Sequence, residues 1–357
     1  MKTVKKVFLP LTALMVTLMI SFTTFAETGE TSNGNANETK KVLMVTATEV
    51  FRHASIDDAH EVMPQLADEH GFEIDITEDV VLLNADNLAN YDVLAFVNTT
   101  GELPISDQQK EDILNFIESG NGFFGVHAAT DTFYEWAEYG ELTGAYFEEH
   151  PWTEEVTFNV EQGDHPSTEH LDSTYTQLEE VYLFQDNPRY NDKHILMSLN
   201  MDSVDGEAHE DHPTAWVDEI GKGRMFYTAL GHHPETWYKE DFQQHLLGGL
   251  QYAWGDSDYD ASEPTPEPNL DTKGMAKHVG DLKDDGEFDS DEAVHSLTLH
   301  LTAVSHYENQ GEATKVNQHM EGFKDLLNHQ LDNDLITEKA FDILTAQSDA
   351  VIQNWDE

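Results

Sequence analysis

The chain has 357 residues, of which 39% are hydrophobic, enough for two domains with packed cores. Its formal net charge of −52 excludes binding of nucleic acid through the phosphates and offers no basic stretch for an anionic membrane. The absence of cysteine excludes disulfides, lipid attachment through cysteine and thiol nucleophiles.

The excess of carboxylates indicates a halophilic acidic protein with a surface adapted to high salt. At ~1 M salt the electrostatic screening length falls to about 3 Å, so repulsion among the carboxylates weakens. We therefore expect the melting temperature to rise with the concentration of sodium chloride. Thermal melts across a wide salt range measure this, and a flat or falling melting temperature would contradict salt adaptation.

The N-terminus has the pattern of a secretory signal peptide over residues 1–26. Three lysines precede an apolar run from Val7 to Phe25, and a small-residue cleavage site ends at Ala26. The run is nearly long enough for a membrane anchor, but Pro10 and the polar stretch after the run favour cleavage. We expect a secreted, extracellular protein without stable membrane insertion, beginning with a flexible lead-in over residues 27–39.

Residues 40–255 have the pattern of an α/β domain, in which short apolar runs alternate with amphipathic stretches. Strands are predicted over 41–47, 73–77, 92–98, 122–128, 154–160, 194–200, 214–217 and 224–230. Helices are predicted over 55–70, over 106–119 with Ser106 as N-cap, and over 234–254. This order predicts a mostly parallel sheet covered by helices on both sides.

A second domain follows a change in composition. Residues 256–270 are acidic and rich in proline, which indicates a semi-extended linker. Within residues 271–357 apolar positions recur at helical spacing, as at Leu297, Leu301 and Val304. We predict a small all-α bundle of three or four helices.

The segment from Gly122 to Asp131 gives the clearest indication of chemistry. A buried strand ends there in Gly-Val-His-Ala-Ala, and ligands bind at the carboxyl ends of parallel strands. The turn is similar to a nucleophile elbow, in which small residues expose one side chain, here His127. His127 is a candidate acid, base or metal ligand, and Asp131 a candidate for substrate binding. A histidine satisfied within a tight turn is the alternative.

Two more loops follow predicted strands and should reach the same edge of the sheet. Arg52 and His53 follow the first strand, and His232 and His233 follow the strand over 224–230. Arg52 suits a sugar hydroxyl or carboxylate, although an ordinary charged loop explains it as well. The expected site therefore draws histidines from three strand ends.

Carboxylates and aromatic residues complete the list of candidates. Trp152 and Tyr182 could stack on sugar faces, although a half-buried core aromatic is the more usual role of any single one. Glu179 and Glu180 are adjacent and would point in opposite directions on a strand, so they do not form the carboxylate pair of a glycosidase. The signal for a divalent metal is weak, because no closely spaced pair such as HExxH occurs. The cofactor therefore stays unknown.

Several segments, taken together and in this order, resemble the ThuA-like (trehalose utilisation) family over about residues 40–255. They are VFRHAS (50–55), GFFGVHAATD (122–131), AYFEEHPW (145–152), EEVYLF (179–184), HPTAWV (212–217) and GKGRMFYTALGHHPETW (221–237). The resemblance implies a flavodoxin-like sheet related to class I glutamine amidotransferases, and a role in disaccharide, glycoside or keto-sugar metabolism. It also places family positions on Arg52, His53, His127, Gly231 and His232. Amidotransferase chemistry is excluded because those enzymes use a cysteine at the turn.

The C-terminal residues 271–357 resemble the FIMAH domain of secreted polysaccharide-degrading enzymes through the segments 295–330 and 335–352. This resemblance implies a polysaccharide or the cell wall as a partner of the C-terminal domain.

We interpret the protein as a carbohydrate-active enzyme with a small sugar or oligosaccharide as its ligand. In this hypothesis His127 and His53 carry protons, Glu180 orients or assists, and His232 and Arg52 bind hydroxyl groups. A non-catalytic sugar-binding protein and a cell-surface interaction protein are the alternatives.

Overall fold

The computed structural model describes residues 39–204, 211–262, 265, 271–284 and 286–356. The predicted signal peptide, and the lead-in apart from Thr39, lie outside these residues. Among the described helices, none is both long enough and apolar enough to cross a membrane.

The described strands form one nine-stranded sheet. They are β1 Lys41–Val45, β2 Glu73–Thr77, β3 Val93–Val97, β4 Gly122–Val126, β5 Phe147–Val160, β6 Thr174–Phe184, β7 His194–Leu199, β8 Pro213–Ile220 and β9 Gly223–Thr228. Their order across the sheet is β2-β1-β3-β4-β9-β8-β7-β5-β6. The α/β class predicted from the sequence is confirmed.

The sheet is mixed, so the prediction of a mostly parallel sheet holds for one half only. The pairings from β2 to β9 are parallel, and those from β9 to β6 are antiparallel. Parallel neighbours need a long crossover connection, whereas antiparallel neighbours can be joined by a tight turn. Such a turn joins β8 to β9 at Gly221, whose φ of 63° lies in the left-handed region that favours glycine.

Helices cover both faces of the parallel half. They are α1 Ser55–His70, α2 Ala85–Leu88, α3 Asp107–Glu118, α4 Ala137–Thr143 and α5 Glu240–Ala253. Along β1, Val42 packs in the same apolar cluster as Val62 of α1, and Leu43 packs with Ile113 of α3. Because alternate side chains of a strand point to opposite faces, α1 and α3 cover opposite sides of the sheet.

The helix boundaries follow the local signals closely. The helix α1 has the predicted bounds, and the Ser106 side chain accepts a hydrogen bond from the Gln109 backbone N–H to cap α3. The predicted helix over 234–254 is divided, because a 3₁₀ turn at Pro234–Tyr238 precedes α5.

A long hairpin, the β5–β6 arm, extends the antiparallel half beyond the rest of the sheet. Strand β5 pairs with β7 only over 158–160, whereas its pairing with β6 runs from Phe147 to Asn159. The arm carries Glu179 and Glu180 to the loop that follows β9, where both carboxylates contact His232.

The C-terminal region is a helical bundle, as predicted. Its helices are α6 Thr272–Asp284, α7 Asp291–Glu308, α8 Ala313–Asp332 and α9 Glu338–Asp356, which surround a core of their own. The bundle contacts the α/β domain where the ring of Tyr190 stacks on His278, with ring centroids 4.1 Å apart. Two residues of the predicted linker, Tyr259 and Ala261, pack against the α/β core.

Candidate functional site

Three histidines lie in loops that follow parallel strands of the sheet. His53 follows β1, His127 follows β4 and His232 follows β9. The carboxyl ends of parallel strands share one edge of a sheet, so the three imidazoles come together there. The ring of His53 lies edge-on to both other rings, with centroids 4.9 Å from His127 and 5.3 Å from His232.

The turn at His127 is sharp, but it does not expose the side chain. His127 has a φ of 49°, which a non-glycine residue adopts only under strain, and it is 0% exposed. The hydroxyl of Tyr227 donates a hydrogen bond of 2.7 Å to the His127 carbonyl and holds the turn. The expectation of an exposed elbow residue was therefore wrong, because Tyr182 and His232 cover the imidazole.

Glu180 of β6 joins the three histidines. Its Oε2 lies 2.9 Å from His232 Nδ1 and 3.5 Å from His127 Nε2. Its Oε1 lies 3.4 Å from Nδ1 of His150, a residue with a half-exposed side chain. The structure thus brings His53, His127, Glu180 and His232 into one group, which we call the His/Glu cluster.

The hydrogen bonding of His127 fixes which of its nitrogens carries a proton. Its Nδ1 lies 2.7 Å from the carbonyl oxygen of Ala229, and a carbonyl can only accept. The Nδ1 is therefore the protonated nitrogen in the neutral ring. Nε2 then presents its lone pair to His232 Nδ1, 3.2 Å away, and to Glu180.

Glu179 bonds to the backbone, unlike the adjacent Glu180. Its carboxylate accepts hydrogen bonds from the backbone N–H groups of Gly231 and His232, at 3.0 and 3.1 Å, and from Gln177 Nε2. Burial raises the pKa of Glu179 to about 7, although the backbone N–H donors oppose that rise. Glu179 thus positions the loop that carries His232 and leaves Glu180 as the carboxylate of the cluster.

Burial and mutual contact determine the charges of the His/Glu cluster. Burial, and then the neighbouring histidines, lower the pKa of His53 to about 3. Burial also lowers the pKa of His127, outweighing its bond to Glu180. Burial alone would raise the pKa of Glu180, but the contacts of its carboxylate with the His127 and His232 rings lower it overall. These shifts favour the neutral form of His53 and His127 and the ionised form of Glu180.

The same four side chains could hold a metal ion. One donor atom from each lies within 4.8 Å of the others, and no other group of three or more such residues in the described chain is arranged this way. Nδ1 of His53 is buried without a hydrogen-bond partner.

Of three further predicted residues, Tyr182 and His233 lie beside the cluster, whereas Asp131 bonds to Tyr134. The ring of Tyr182 lies 4.1 Å from that of His127 and is buried, so it supports the imidazole and has no free face for a sugar. His233 lies beside His232, with centroids 4.8 Å apart. Asp131 accepts a hydrogen bond of 2.7 Å from the hydroxyl of Tyr134.

Two predicted binding residues make their described contacts elsewhere. Arg52 forms ion pairs with Glu78 and Asp57, at 2.6 and 3.3 Å. Trp152 packs against the α/β core, with its ring 6.4 Å from that of His212. Their predicted role in substrate binding stays a prediction.

Sequence reasoning did not select two residues beside the cluster. His150 contacts Glu180, and its position before a proline was the only sequence signal for it. Phe51 is 56% exposed and lies edge-on to His53, with centroids 4.8 Å apart. An exposed aromatic ring next to polar side chains suits contact with a sugar face.

Comparisons with known proteins agree with this architecture. Residues 41–253 match the ThuA profile, described as trehalose utilisation, and residues 272–353 match the FIMAH domain. A ThuA-like protein from Bacteroides uniformis is 24% identical, with a TM-score of 0.52 over 63% of this chain and 94% of that chain. One from Parabacteroides merdae is 18% identical, with a TM-score of 0.50 over 64% and 94%. None of the curated proteins matches the chain.

The fold and the site define an α/β protein with a His/Glu cluster at the ends of its parallel strands. Because the ThuA profile spans more than half of the sequence, the chain belongs to the ThuA family, and it carries a C-terminal FIMAH domain. The description of the family relates it to the use of a carbohydrate.

Proposed function

We propose that the protein is a secreted enzyme that acts on a disaccharide, glycoside or keto-sugar at the His/Glu cluster. The observation that carries the proposal is the convergence of His53, His127, Glu180 and His232 from four separate chain segments at the edge of the sheet where ligands bind. Membership of a family described by trehalose utilisation supports a sugar as the ligand.

The arrangement of acceptor atoms supports a reaction in which the cluster accepts a proton from the substrate. His127 Nε2 and the Glu180 carboxylate both offer lone pairs at one place. A sugar hydroxyl or a carbon next to a keto group could lose a proton there, and His53 and His127 would then act as bases. Glu179 is bound to backbone N–H groups, so among the described residues Glu180 has no second carboxylate to pair with as in a glycosidase.

A screen of sugars tests this function. The full chain is incubated with trehalose, maltose, cellobiose and their keto derivatives, and the products are followed by NMR. We expect turnover of at least one of these sugars. Binding of a sugar without any product after long incubation would instead support a non-catalytic sugar-binding protein.

A further inference from the structure

We propose that the His/Glu cluster is the binding site of a divalent first-row transition metal, with Zn²⁺ as the ion that fits it best. The ligands are His53, His127, Glu180 and His232. The binding of the ion is independent of the proposed sugar reaction, whereas its catalytic role rests on that function.

The distances within the cluster match those between ligands of a small ion. His127 Nε2, His232 Nδ1 and Glu180 Oε2 form a triangle with edges of 3.2, 2.9 and 3.5 Å. In a tetrahedral zinc site with bonds of about 2.0–2.1 Å, neighbouring donor atoms lie about 3.3 Å apart. His53 supplies the fourth donor atom, within 4.8 Å of the others.

The cluster contains more hydrogen-bond acceptors than donors to satisfy them. The Nδ1–H of His127 donates a hydrogen bond to the Ala229 carbonyl, so Nε2 is an acceptor, and it lies beside the acceptor oxygens of the Glu180 carboxylate. His150 can donate only to the other oxygen of Glu180, Oε1, so within the triangle the donor is His232, and one proton cannot serve both acceptors fully. Nδ1 of His53, buried without a partner, adds a further unsatisfied nitrogen. A cation between these side chains satisfies the lone pairs of His127 Nε2 and of the Glu180 carboxylate at once, and His53 offers it a further nitrogen.

The surroundings provide the outer contacts that metal ligands normally have. The Ala229 carbonyl orients the ring of His127 and sets its tautomer, and Glu179 holds the backbone of His232. Imidazole and carboxylate donors without thiolate suit Zn²⁺, Mn²⁺ or Fe²⁺ better than Mg²⁺ or Ca²⁺, which prefer oxygen ligands alone. With the ion bound, His53 and His127 would act as its ligands and not as bases, and in the proposed reaction the ion would polarise a sugar oxygen or a bound water.

Metal binding is tested on the full chain without any sugar. The protein is stripped with a chelator, dialysed against Zn²⁺ or Co²⁺, and its metal content is measured by mass spectrometry. We expect one tightly held ion per chain, and the visible spectrum of the Co²⁺ form should be that of a four- or five-coordinate site. Glu180→Gln and His232→Gln should each weaken binding by at least about 10-fold.

The control is His295→Gln, because His295 is an exposed histidine of α7 in the bundle. This variant should bind the ion as the wild type does. If no ion is retained, or if the correctly folded Glu180→Gln and His232→Gln variants bind it as tightly as His295→Gln, the metal site is refuted. Sugar turnover that persists in the metal-free protein would refute the metal's role and leave the proposed function standing. A bound ion without turnover of any sugar would confirm the metal site and refute the proposed function.

Discussion

Replacing Glu180 by glutamine is expected to lower the turnover of a sugar substrate by at least about 100-fold. Glutamine has the same shape as glutamate but lacks the charge that faces the cluster histidines His127 and His232. Circular dichroism and thermal melts of the variant should show that the fold is retained. Steady-state kinetics with the substrate found in the sugar screen then measure the loss.

Glu155→Gln is the matched control for this prediction. Glu155 is an exposed residue of β5 on the same β5–β6 arm, and it pairs with Leu178 of β6. Its substitution removes one charge at a distance from the cluster and should leave turnover unchanged. Equal activity of the Glu180→Gln variant and this control would remove Glu180 from the reaction. His127→Ala is less informative, because His127 is fully buried and its loss would also destabilise the fold.

Replacing Arg189 by methionine is expected to lower the free energy of unfolding by about 3–5 kcal/mol. The guanidinium of Arg189 forms paired hydrogen bonds with Glu161 and with Asp211, at distances from 2.7 to 3.0 Å. All three side chains are at most 5% exposed. Without the arginine, two buried carboxylates would lack their common partner. The shift of the urea unfolding midpoint measures the effect.

Lys324→Met provides the comparison, because it removes the cation of a solvent-exposed ion pair with Asp349. Such pairs contribute about 0–1 kcal/mol. If Arg189→Met shifted the midpoint no more than Lys324→Met does, the buried ion pairs would not stabilise this fold.

The sequence predicted the elements whose signals are local. Continuous apolar runs predicted β1 and β4, because strands buried on both faces are apolar throughout. Ser106 predicted the start of α3, because an N-cap residue bonds to the first turn of its own helix. The positions of His53, His127 and His232 after predicted strands also placed them at one edge of the sheet, because the carboxyl ends of parallel strands share that edge.

The remaining features depend on contacts between distant segments. Glu180 reaches His232 only because the β5–β6 arm extends past β7, and nothing in the sequence near Glu180 encodes that path. The burial of His127 likewise depends on Tyr182, which comes from the same arm. The antiparallel half of the sheet was missed because strand direction follows from connections that single strands do not reveal.

A crystal structure of the full chain soaked with a sugar that it turns over or binds tests the central claim most directly. We expect electron density for the sugar in contact with His232 and Glu180, next to the exposed ring of Phe51. The clearest competing location is the cavity of about 840 Å³ between the α/β domain and the bundle, lined by Tyr190 and Lys339 among others. A sugar bound only in that cavity, with the His/Glu cluster free of it, would show that the cluster is not the sugar site.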